Sequence, residues 1–150
     1  MTGKQRLAIL ETLSWIAIVA CVVAIALPKR QELQRMDSAR QIVNDIETVR
    51  QAVFAFYSDS AYFPTQTTDP IPESLVHYLP LTFPLSHPYG ALEYRNWPVQ
   101  PAYRDSSAAN IVGVTVTTPD PRIGAAAASR TLRLAQFAVE NKYTFIYFGK

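Results

Sequence analysis

Residues 7–28 read Leu7-Ala8-Ile9-Leu10-Glu11-Thr12-Leu13-Ser14-Trp15-Ile16-Ala17-Ile18-Val19-Ala20-Cys21-Val22-Val23-Ala24-Ile25-Ala26-Leu27-Pro28. Between Leu7 and Leu27 only Glu11, Thr12 and Ser14 are polar. As a helix this run is about 31 Å long, matching the hydrocarbon core of a bilayer. It is long for a cleaved secretory segment, and Pro28-Lys29-Arg30 stands where a small-residue cleavage site would follow. The pattern predicts a membrane-anchor helix over residues 1–28. Lys4 and Arg6 on one side stand against Lys29, Arg30 and Arg35 on the other, so charge alone sets no orientation. An exported head requires the short N-terminal side to be cytoplasmic.

The rest of the chain has a different character. Ten of the 11 prolines lie between Pro64 and Pro121, and 16 of the 17 aromatic residues lie at or beyond Phe54, which marks residues 59–150 as a separate globular head. A formal net charge of +2, with no Lys/Arg cluster, excludes a nucleic-acid binder. The only cysteine is Cys21, inside the apolar run, so no intrachain disulfide closes the head.

Glu11 is the residue in the run that asks for a partner. A carboxylate at the centre of an inserted helix costs roughly 3 kcal/mol, and less near an end. Pairing with a cation inside an assembly relieves that cost; the alternative is a carboxylate that snorkels to the interface, one turn inside the anchor. Ala17, Ala20, Ala24 and Ala26 allow another helix to approach closely.

Pro28 removes one helical N–H and crowds the preceding turn, which predicts a kink rather than an end. Beyond it Ala39, Ile42, Ile46, Val49, Val53 and Phe56 recur at steps of three and four, giving one apolar stripe over an amphipathic segment, residues 29–58. Acid-before-base pairs three apart (Glu32/Arg35, Asp37/Arg40, Glu47/Arg50) support the helix. The stripe turns aromatic at Phe54, Phe56 and Tyr57, which favours docking on a sheet over a free coiled coil. Asp59, Ser60 and Pro64 supply the stop.

Within the head, Pro72 to Tyr78 reads as a short helix, and Leu92 to Trp97 and Ile111 to Thr117 as strands. Ile123 to Val139 is alanine-rich and leans to helix, and Tyr143 to Phe148 is the clearest strand, expected at the sheet centre. The predicted fold is α+β: a long kinked N-terminal helix, anchor then amphipathic half, packed on a small antiparallel sheet.

The anchor resembles the N-terminal helix of type IV pilins and type II secretion pseudopilins. There a glutamate lies four residues after the first mature residue and a helix-bending proline seventeen residues further on, the spacing of Glu11 and Pro28. Asp59-Ser60-Ala61-Tyr62-Phe63-Pro64-Thr65 is similar to the family's Asp-x-x-x-Tyr-Pro-Thr exit from the long helix, with Phe63 at the aromatic position. His87-Pro88-Tyr89-Gly90 resembles the pseudopilin stretch that opens a hairpin, without its leading acid.

The resemblance implies a filament subunit of the inner membrane. Its partners would be like or different pilin-like subunits, the inner-membrane assembly machinery and the lipid bilayer. A secretion pseudopilus is favoured, because the disulfide-closed loop of adhesive pilins is absent. It further implies that Glu11 meets the freed amino terminus of a neighbouring subunit, with Ala20, Ala24 and Pro28 among the subunit contacts of the helix. The family is cut after a glycine directly before the first mature residue, where this chain has Arg6 and Leu7. Arg6 does not suit that cleavage, so a neighbour's Lys4 or Arg6 is expected to replace the freed amine as the partner of Glu11. The same substitution supports an alternative, a single-pass membrane protein whose head binds a partner and never polymerises.

Catalysis is not expected. His77 and His87 are the only histidines, and no nucleophile elbow or phosphate-binding loop occurs. Major pseudopilins bind calcium through a C-terminal loop. The acids available here, Asp105 and Asp120, lie in no acid-rich loop, and calcium takes six or more oxygens. They read as solvated, and no cofactor is expected. Arg122, Arg130 and Arg133 read as a solvated face, the alternative being contact with Asp45 or Glu47 of a neighbouring rod.

Overall fold

The computed structural model describes residues 3–84, 86–98, 110–131 and 135–148. Contacts divide the chain into two units, Met1–Arg35 and Met36–Lys150, so the boundary falls inside the predicted amphipathic segment. Helix α1 runs Gly3–Ser60 and continues through Pro28, which does not end it. The N-terminal unit is helical, and every described side chain from Glu11 to Gln34 is exposed.

The second unit holds the sheet. Strand β1 (Ala91–Pro98), β2 (Asn110–Thr117), β3 (Ala135–Val139) and β4 (Lys142–Phe148) form one antiparallel sheet in the order β1-β2-β4-β3. Strand β4 is interior, as its apolar sequence predicts. The last turns of α1 lie on one face of this sheet. All six residues of the predicted stripe, Ala39 to Phe56, are buried, and they meet Leu92, Tyr94, Val112, Val114, Val116, Tyr143, Phe145 and Tyr147 in a single core. Alternation decides which strand residues face the helix, since successive side chains point to opposite faces. Tyr147 fixes the docking: its hydroxyl donates to Ile46 O at 3.0 Å, in the core. Phe54, grouped with the stripe on aromatic character, is 39% exposed and packs under the Arg50 guanidinium instead.

Helix α1 ends where Ala61 turns left-handed, with its N–H donating to Tyr57 O at 2.8 Å, two residues past the predicted Ser58. The short helix α2 (Glu73–Val76) sends Leu75 into the core. Gly90, at φ +133°, lets the chain enter β1 against β2; a Cβ there would sit 2.0 Å from Thr117 O.

The predicted helix over 123–139 is corrected. Helix α3 covers only Pro121–Arg130, capped by Asp120, whose Oδ1 accepts from Arg122 N at 3.0 Å. The β-branched Thr131 ends it by closing back on Ala127 O and Ala128 O, each at 3.2 Å. Residues 135–139 instead pair with β4 across a tight turn at Glu140 and Asn141. Hydrogen bonding to a strand outweighs the helix propensity of two alanines.

Candidate functional site

Two places carry chemistry: the apolar half of α1 and a polar cluster inside the head. In the first, an 18-residue window of the helix has mean hydropathy 2.0 and none of it is buried, which makes it a candidate membrane span. Trp15, Ile16, Ile18, Val19, Val22, Ile25 and Leu27 are all more than half exposed. At 3.6 residues per turn Glu11 shares one side with Trp15, Ile18, Val22 and Ile25. Ser14, Ala17, Cys21, Ala24 and Pro28 follow one another in steps of three and four along a stripe about 100° round the helix from Glu11, and Ala20 lies opposite Glu11. Ala26, grouped with the other alanines from sequence, falls on the Glu11 side. The helix therefore has a bulky stripe bearing the carboxylate and, about a quarter turn away, a stripe of small residues. Lys4, Arg6 and Leu7 lie on the same helix, in the turns before Glu11.

The second place is built by α1 and the segment before β1. Asp45 sits three residues after Ile42 and is carried by the helix onto the buried face. Tyr89, 1% exposed, donates its hydroxyl to Asp45 Oδ2 at 2.9 Å. His87 Nδ1 lies 3.1 Å from the same oxygen, in a side chain only 2% exposed, but is not aligned to bond it. The His87 ring stacks on Tyr89 at 4.9 Å and meets Phe83 edge-on at 5.5 Å. Burial, and then the Asp45 charge, hold the Tyr89 hydroxyl far above the usual phenol range. Burial does the same to Tyr94 and Tyr147.

This cluster corrects one expectation: Asp45 is inside the head and cannot meet an arginine of a neighbour. Glu47, by contrast, is half-exposed and paired with Arg50, whose Nε donates to Oε2 at 2.8 Å; that bond holds its carboxyl below the usual range. The stripe spacing already places Asp45 between buried Ile42 and Ile46, so its burial was readable. Its partners, 44 residues away at Tyr89, were not.

The remaining expected residues do not converge. Asp120 caps α3, and Asp105 and Arg133 lie outside the described residues. Arg122 and Arg130 are exposed at opposite ends of α3, and Arg130 Nη1 donates to Met36 O at 3.3 Å. His77 is exposed, away from His87 in the core. Among the described residues no group of three or more His, Cys, Asp or Glu is placed to hold a metal ion. Compared with protein-family models, curated proteins and solved structures, the chain has no match.

Proposed function

We propose that the chain is a pilin-like filament subunit, of the type II secretion pseudopilus or type IV pilus kind. The bilayer stores it by α1, and assembly moves that helix from lipid into a bundle of like helices. The observation that carries this reading is an exposed apolar helix bearing one carboxylate, Glu11, seventeen residues ahead of Pro28. Leaving lipid for a helix bundle brings little hydrophobic gain, so close packing and charge must supply the driving force. The small-residue stripe of α1 supports close approach. Glu11 supports charge pairing, with Lys4 or Arg6 of an adjacent copy as the cation. Glu11 points about 100° away from the small-residue stripe, which leaves room for the carboxylate and that stripe to face different neighbours. The head is carried outside the membrane, with the short N-terminus in the cytoplasm.

A membrane-anchored head that never polymerises is the second reading, favoured by Arg6 at the position where pilin processing requires glycine. Disulfide ladders separate the two. Cys21 alone can join at most two copies, whereas Cys21 together with Ala26→Cys, on the other side of the helix, can join many. A filament yields oxidised ladders beyond the dimer in native membranes. Monomer and dimer alone would overturn the filament.

A further inference from the structure

We propose that the outer edge of β3 is a self-pairing surface, which joins two heads into one continuous sheet across a two-fold axis at Phe137. The two edges of the sheet are treated differently. At β1 the segment before the strand covers the edge: Tyr94 N donates to Pro70 O at 2.7 Å and Asn96 N to Gln66 Oε1 at 3.4 Å. At β3, among the described residues, no strand pairs beyond it, and all five residues Ala135–Val139 are exposed. An open edge of this kind is ordinarily guarded by charge, proline or a bulge. Ala135-Gln136-Phe137-Ala138-Val139 has no charge and no proline, and its register against β4 runs without a bulge.

The register selects a second copy as the occupant. Val139 and Lys142 close the two-residue turn, so they form a hydrogen-bonded pair of the β3–β4 ladder. Alternation then turns the N–H and C=O of Gln136 and Ala138 outward. An antiparallel copy centred on Phe137 sets Gln136 opposite Ala138 and Ala138 opposite Gln136, which satisfies those outward groups with about four hydrogen bonds. Ala135 faces Val139, small against large, and no like charges meet. Phe137, 51% exposed, faces its own copy at a wide-spaced position, where the Cα atoms stand about 4.5 Å apart. Such a pair closes on itself. It is therefore independent of the filament reading, and of Glu11.

The test uses the full chain in detergent micelles with Cys21→Ser as background. Phe137→Cys lies within disulfide reach of its copy, whereas Val139→Cys, on the same face, lies about 13 Å from its own. Mild oxidation should give a covalent dimer with Phe137→Cys at roughly ten times the yield of Val139→Cys. Adding Ala138→Pro, which removes an outward N–H and leaves the β4 pairing intact, should abolish that difference. Adding Gln136→Lys with Ala138→Lys, which opposes like charges across the axis without touching the core, should do the same. Equal yields from Phe137→Cys and Val139→Cys, or a dimer that survives the paired lysines, would overturn the proposal. Glu11→Gln should leave this dimer unchanged, so its failure and that of the filament are told apart.

Discussion

Replacing Asp45 with alanine leaves the Tyr89 hydroxyl, buried and donating to Asp45 Oδ2 at 2.9 Å, with nothing to bond. A hydrogen bond to a charged group contributes about 1.5–3 kcal/mol, and an orphaned buried hydroxyl costs about 1–3 kcal/mol. Asp45→Ala should therefore destabilise the head by about 2–4 kcal/mol. Tyr89→Phe removes the donor and strands a buried carboxylate, at a similar cost. With both changes neither group is orphaned, so the double variant should lose about 1.5–3 kcal/mol less than the sum of the singles. The head is readily monitored, because the chain has two tryptophans and only Trp97 lies in it. Denaturation of the full chain in detergent, followed by Trp97 emission with Trp15→Phe as background, gives all four stabilities. Additivity within about 0.5 kcal/mol, or an Asp45→Ala change no larger than that of a surface substitution, would refute the buried cluster.

Gly124→Ala tests α3 packing: the added Cβ would stand 2.1 Å from the Tyr143 ring, which is tethered by its hydroxyl to Pro121 O at 2.7 Å. Overpacking of about 1–3 kcal/mol should outweigh the roughly 1 kcal/mol helix gain, so thermal melting should fall; a rise would show the ring free to move. In alkali, buried Tyr89, Tyr94 and Tyr147 stay protonated in the folded head while the unfolded chain ionises near pH 10. Stability is thus full below about pH 10 and falls above it, by up to about 1.4 kcal/mol per pH unit for each tyrosine. Tyr147→Phe should reduce the slope measured by denaturant titration between about pH 10 and 11.5, and an unchanged slope would contradict its burial.

Much of the fold could be read along the chain because its signals are local. The stripe from Ala39 to Phe56 shows which face of α1 docks, and Tyr143 to Phe148 announces an interior strand. Strand β3 was illegible for a physical reason: its five residues bury nothing, so no hydrophobic alternation marks them, and their conformation comes from the β4 ladder. Ile71, Leu75 and Leu79 enter the core from a proline-rich stretch that also holds the exposed Val76 and Leu81, so the sequence does not mark which of its apolar residues are buried. The candidate sites divide in the same way. Glu11 and Pro28 stand out by spacing along one helix, whereas the cluster at Asp45 draws its partners from a distant segment.

The central claim is that the Glu11 carboxylate is met by a cation of another copy. Glu11→Gln keeps the size and hydrogen-bonding capacity of the side chain and removes its charge. In chains carrying Cys21 and Ala26→Cys, oxidised in native membranes, the account predicts that this substitution collapses the ladder to monomer and dimer. A ladder of undiminished length would contradict it.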